Sequence, residues 1–133
     1  MKAMIRHVVL LVRDQEEALR FYRDKLGFFL SEDTMVTPSK RWITLLPTEG
    51  AVTGIVLAQA KGEEQDNRAG NQTGGKVLMV LHTQSFEEDV EMLRSKGIRI
   101  VRGPSHEPWG KVVVFSDLYG NLFDLVQPSA GDS

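Results

Sequence analysis

The chain carries one pattern twice. Gly27 opens the β-rich run Phe28-Phe29-Leu30, and 70 residues on Gly97 opens Ile98-Arg99-Ile100-Val101. Arg41-Trp42-Ile43-Thr44-Leu45-Leu46 has its echo in Lys111-Val112-Val113-Val114-Phe115, and Gly50 in Gly120, again 70 apart. Upstream, the run from His7 to Val12 parallels the run from Lys76 to Leu81 at an offset of 69. A unit this long, present twice, is a duplicated supersecondary structure, because a solenoid needs at least three short copies. Pseudo-symmetric copies commonly share a cleft, and clefts are where small molecules bind.

Each copy reads as βαβββ. In the first, Ile5 to Val12 is a short, β-branched apolar run and predicts a buried strand. Val8, Leu10 and Val12 fall on one side of it and His7, Val9 and Leu11 on the other, so one side meets a helix and the other lines the cleft. Asp14 and Glu17 form a capping box. Ala18, Leu19, Tyr22 and Leu26 recur at helical spacing, and Gly27 stands where a helix ends. Strands are predicted over 28–36, 41–46 and 53–60, separated by Pro38-Ser39 and by Pro47-Thr48-Glu49-Gly50.

The second copy predicts a strand over 76–82 and a helix capped by Ser85 and Glu88. That helix carries the stripe Phe86, Val90, Leu93 and closes at Gly97. Strands over 98–102, 111–115 and 121–127 follow. Gly120-Asn121 tolerates the positive φ of a tight hairpin. The whole predicts a single α+β domain over 1–133. It consists of two tandem βαβββ modules, 5–60 and 76–127, forming a curved mixed sheet around a cleft. Residues 61–75 contain no large apolar side chain and are expected to be a mobile linker or pocket-edge loop. The tail from Ser129 to Ser133 is expected to fray.

Composition removes several classes of function. A net charge of −2 supplies no basic stripe for phosphates, so nucleic acid is not an expected partner. The absence of cysteine excludes disulfides, thiolate zinc sites and cysteine nucleophiles. No apolar stretch reaches a membrane span and no leader pattern opens the sequence, so the expectation is a cytoplasmic protein without membrane contact.

At this point the residues resemble a known family. Asp117-Leu118-Tyr119-Gly120-Asn121-Leu122-Phe123-Asp124-Leu125 is similar to the closing signature of the vicinal oxygen chelate superfamily, Asp-Pro-x-Gly-Asn-x-x-Glu-Leu. The superfamily includes glyoxalase I, bleomycin-resistance proteins and type I extradiol dioxygenases. His7-Val8-x-Leu10-x-Val12-x-Asp14, with Phe21-Tyr22 and Leu26-Gly27-Phe28, is similar to its opening signature. The likeness covers nearly the whole chain. It implies the fold and leaves the chemistry open, because one fold here serves many reactions.

The resemblance implies a divalent metal held from four strand positions, two per module, with His7 at the first and Asp124, in place of the usual Glu, at the last. His7 and Asp124 are also the candidate catalytic groups. The first-module counterpart of Asp124 is Gly54 or Val56, neither of which can ligate. The counterpart of His7 is Lys76, whose ammonium has no lone pair, or Val77 after a one-residue slip. Two of four ligands leave an incomplete site, since catalytic zinc centres keep three.

Other candidates come from the residues themselves. Trp42 and Trp109 are candidate aromatic walls for a ligand, and Arg41 is a candidate for an anionic group. His106 and Glu107 lie on the proline- and glycine-bounded loop from Gly103 to Gly110, whose Pro-Trp-Gly stretch resembles that of many uncharacterised glyoxalase-like members. Lys76 is expected to stand in for the cation and pair with Asp124. Two functional readings follow. One is a glyoxalase-like enzyme, a diverged lyase, isomerase or dioxygenase using a divalent metal. The other is a metal-free small-molecule or antibiotic-binding protein of the resistance type. A homodimer is expected in either case.

Overall fold

A computed structural model describes residues 1–130. The tail expectation for residues 131–133 lies outside the described residues. Ser129 is tied down instead of frayed: its amide donates to the carbonyl of Trp109 at 3.0 Å and its hydroxyl to that of Pro108 at 3.2 Å.

The chain divides into two compact units, Met1–Ala69 and a second beginning at Gly70. The first contains β1 (His7–Val12), α1 (Gln15–Leu19), β2 (Phe29–Thr37), β3 (Lys40–Leu46), β4 (Gly54–Gln59) and α2 (Gly62–Arg68). Its sheet runs β1-β4-β3-β2, with β1 and β4 parallel and the other pairs antiparallel. The second contains β5 (Val77–His82), α3 (Phe86–Ser95), β6 (Ile100–Glu107), β7 (Gly110–Ser116) and β8 (Leu122–Pro128). Its sheet repeats the order as β5-β8-β7-β6. The α+β class and the βαβββ modules are both present. Two four-stranded sheets, one per unit, carry them.

α1 with its continuation, and α3, each bury an apolar stripe on one face of their own sheet. In the first unit Ala18, Tyr22, Leu10 and Val12 are fully buried, with Ile43, Leu45 and Leu57 beneath them. In the second, Phe86, Val90 and Leu93 are buried with Phe115 and Phe123, which stack at 5.2 Å and 8°. At ~25 cal/mol per Å² of apolar surface this burial is the main driving force for each unit.

Several local features differ from expectation. The first helix is α-helical only over Gln15–Leu19 and π-wound over Arg20–Lys25, where the Leu26 amide donates back to Phe21 at 2.9 Å. The wider turn admits the consecutive aromatics Phe21 and Tyr22 to the core together. Gly27 and Gly97 end their helices at φ +79° and +69°, as the pattern requires. Asp14 caps α1 by accepting from the Glu17 amide at 3.0 Å. Ser85 does not cap α3 with its side chain. Instead Gln127 Oε1, reaching from β8, accepts from the Phe86 amide at 3.0 Å.

The segment 61–75 is not a loop throughout. Seven residues form α2, and the buried Ala69 accepts from Arg13 Nη2 at 3.1 Å. The expected loop from Gly103 to Gly110 is also largely strand. β6 continues through Glu107, and only Pro108-Trp109 forms the hairpin tip.

Candidate functional site

Strand alternation and register define an open face on each sheet, opposite the helices. In the first unit Leu10 and Val12 are buried on the helix side, which leaves His7, Val9 and Leu11 on the other. Their strand partners are Gly54, Val56 and Ala58. Thr44 pairs with Val56, Trp42 with Thr34 and Glu32 with Thr44, so the same face continues across β3 and β2.

A register shift between Leu30 and Glu32 decides the outer edge of this face. Without it, Leu30 and Glu32 would share a side. With it, Leu30 opposes Leu45 on the helix side, Glu32 points to the open side and Asp33 returns to the helix side. The open face therefore brings together His7, Trp42 and Glu32. The His7 and Trp42 rings meet edge to face, with centroids 6.0 Å apart and planes at 87°. Trp42 Nε1 donates to Glu32 Oε1 at 3.0 Å. Thr44, 2% exposed, and Val56, 6% exposed, lie on the same strand face.

Arg41, one residue from Trp42, projects to the opposite side. Its guanidinium is paired in fork geometry with Asp33, Nε to Oδ1 at 2.8 Å and Nη2 to Oδ2 at 2.7 Å, and Nη1 reaches Glu16 of α1 at 3.0 Å. This pairing holds the Asp33 carboxyl below its ordinary range and Arg41 above its own, through the hydrogen bond first and the charge second. Arg41 fastens helix to strand and is not placed to receive an anion on the open face.

The second unit repeats that device. Lys111 Nζ donates to Glu87 in the first turn of α3, which lowers the Glu87 carboxyl. His106 pairs with Lys111 across β6 and β7 and so shares the helix side. Glu107 opposes Gly110 at the hairpin, and Trp109 is half exposed at the tip. By register Glu107 falls on the side that carries Asp124, since Gly110, Val112 and Val114 alternate onto one face, whereas His106 falls on the other side and Trp109 lies in the turn beyond the strands.

That face is set by the pairings Val80–Asp124–Val114 and His82–Val126–Val112, with Arg102 beside Val114. Asp124 is half-buried and makes no ion pair among the described residues. The register also corrects the pairing expected for Lys76. His7 opposes Gly54 at the start of β1, and Val77 opposes Leu122 at the start of β5, so Val77 is the structural counterpart of His7. Lys76 precedes the strand, is exposed, and its carbonyl accepts the Thr73 hydroxyl. Asp124 lies beside Val80, four positions further along β5, about 13 Å of strand away. The Lys76–Asp124 pair is absent. A bulge between Val77 and Met79 adds to this separation and left no local mark in the sequence.

Asp124 aligns with Val56, since Val9–Val56–Thr44 and Val80–Asp124–Val114 are equivalent rungs. Val56 carries no lone pair, and neither does Gly54. Among the described residues no three His, Asp or Glu side chains converge where an ion could be held, and no buried side-chain polar atom lacks a partner. The donor set does not fit a catalytic metal centre, which needs about three protein ligands.

Asp117, at the signature turn, has a structural role. Its Oδ1 accepts from the amides of Tyr119, Gly120 and Asn121 at 2.9, 3.0 and 2.9 Å, and Oδ2 from Asn121 Nδ2 at 2.8 Å. Gly120 alone takes the positive φ, +104°.

Paired βαβββ units, each with one sheet face opposite its helix, and the Asp117-anchored signature turn of the second unit define a duplicated sheet protein. The chain belongs to the Glyoxalase/Bleomycin resistance protein/Dioxygenase superfamily, whose family model matches residues 4–125. An uncharacterised protein of Shewanella frigidimarina is 43% identical over 128 residues, spanning 96% of this chain and 95% of that one. The crystal structure of UcmS2 superposes with a TM-score of 0.83 at 32% identity, covering 100% of each chain. That of TnmS3, an antibiotic binding protein from Streptomyces sp. CB03234, gives a TM-score of 0.76 at 29% identity, covering 96% of this chain and 97% of that one. No helix among the described residues is long and apolar enough to cross a membrane.

Proposed function

We propose that this protein binds a small organic molecule, of the antibiotic class or similar, without a resident metal and without transforming it. The observation that carries the reading is the donor set: valine and glycine stand where a carboxylate would accompany His7. The likeness to TnmS3, itself an antibiotic binding protein, supports it. A fixed aromatic platform on a strand face, Trp42 braced by His7 and Glu32, suits capture of a planar or apolar ligand. Trp109, exposed at its hairpin tip, is a second aromatic group available to such a ligand.

The other reading, a diverged lyase, isomerase or dioxygenase, rests on His7 and Asp124 as proton-moving groups. Each lies on an open face with side-chain atoms accessible. We further propose a cytoplasmic homodimer. Val8 and Val9, on opposite sides of edge strand β1, are 36% and 52% exposed, and a second copy would cover them.

A thermal-shift screen of planar antibiotics tests the reading. The expected result is a raised Tm with at least one compound, confirmed by calorimetry, with the compound recovered unchanged by mass spectrometry. Recovery of a chemically altered compound would instead establish the enzyme reading.

A further inference from the structure

We propose that the open face of the first sheet is a subsite for an organic cation, a protonated amine carried on an aromatic or apolar body, recognised by Glu32 together with Trp42. The inference rests on the small-molecule reading and names the class of ligand.

Glu32 is the acid that the β2 register shift turns onto the open face. One of its oxygens takes the Trp42 N–H at 3.0 Å. A carboxylate has about four acceptor positions, so most of its hydrogen-bonding capacity remains for a ligand. Among the described residues no ion pair involves Glu32; the acids Asp24, Glu16, Asp33 and Glu87 are the ones seen paired with Arg23, Arg41 and Lys111. The neighbouring Asp33 has the opposite fate, engaged on both oxygens by Arg41 on the helix side.

The carboxylate lies in the edge direction of the indole, because it binds Nε1. Trp42 is only partly buried, so part of its ring remains for a ligand. An indole face attracts a cation through its quadrupole, and a carboxylate beside it adds charge and hydrogen bonding. Val9, on the same face, adds exposed apolar surface. An anion would meet Glu32 without compensation, and a neutral ligand would gain only the apolar and aromatic contacts.

The test uses the full chain and three matched probes in isothermal titration: 2-naphthylmethylamine, 2-naphthylmethanol and 2-naphthoate, at neutral pH. The amine should bind about tenfold more tightly than the alcohol, and the carboxylate most weakly. Glu32→Gln, whose amide oxygen can still accept from Trp42, should remove the preference for the amine. The control Glu64→Gln on α2 should keep it. Equal or tighter binding of the alcohol or carboxylate by the unaltered protein overturns the cation proposal and leaves small-molecule capture standing. A preference for the amine that survives Glu32→Gln overturns it as well. Binding of none of the three probes also overturns it, while the antibiotic screen decides the broader reading separately.

Discussion

His7 and Trp42, 35 positions apart in the chain, meet edge to face with ring centroids 6.0 Å apart on the open face of the first sheet. The contact joins β1 to β3, two strands away in the sheet order β1-β4-β3-β2, and both side chains fall on the face opposite the helix. Aromatic pairs of this geometry contribute about 0.5–1.5 kcal/mol, and partial exposure places this one at the lower end. In a Trp109→Phe background, His7→Ala should shift tryptophan emission to the red and lower stability by about 0.5–1 kcal/mol. Unchanged emission would show that the two rings are not in contact.

Asp117 should be among the most sensitive polar positions. It is 6% exposed and satisfies three successive amides and the Asn121 side chain. Asp117→Ala would leave those donors without an acceptor at a cost of about 2–4 kcal/mol. Urea unfolding checks this, and a loss below about 1 kcal/mol would contradict it.

The N-terminus of α3 offers a paired comparison. Gln127→Ala removes the acceptor of the Phe86 amide and should cost about 1 kcal/mol, the value of a helix cap. Ser85→Ala should change stability by less than about 0.5 kcal/mol, because that side chain makes no capping bond. The reverse order would restore the capping box that the sequence suggests.

The duplication made the architecture legible. Two copies of strand, capped helix and glycine stop predict both units, and the buried stripes Ala18–Tyr22 and Phe86–Leu93 fall where their periodicity puts them. The site was legible only in part. His7 and Trp42 were readable as candidates, but their contact was not, since it depends on strand order. Glu32 escaped notice because a bulge sets its side of the sheet, and nothing in Leu30-Ser31-Glu32 announces one. Lys76 was misplaced for the same physical reason, a bulge near Leu78 that shifts the repeat. The helix α2 was missed because its residues are all exposed and polar, so no periodic stripe marks it.

Acid should loosen the first unit through Asp33. Its carboxyl is held below the ordinary range by Arg41, so the stabilisation is complete above about pH 4, the unfolded value. It is lost as pH falls through the lower folded value. Arg41→Met should reduce stability at pH 7 by up to about 1 kcal/mol and flatten the decline in acid. Thermal melts from pH 7 to pH 3 read both effects. A variant that declines in acid as steeply as the parent protein would place the acid-sensitive group elsewhere.

The central claim is that small-molecule binding here proceeds on residues that hold no metal. It is tested most directly by elemental analysis of the protein purified without chelator, with binding of a ligand from the antibiotic screen measured before and after exhaustive treatment with EDTA. The account predicts well under one metal ion per 14.9 kDa chain and the same affinity in both measurements. A stoichiometric divalent metal whose removal abolishes binding would contradict it and return His7 and Asp124 to the role of ligands.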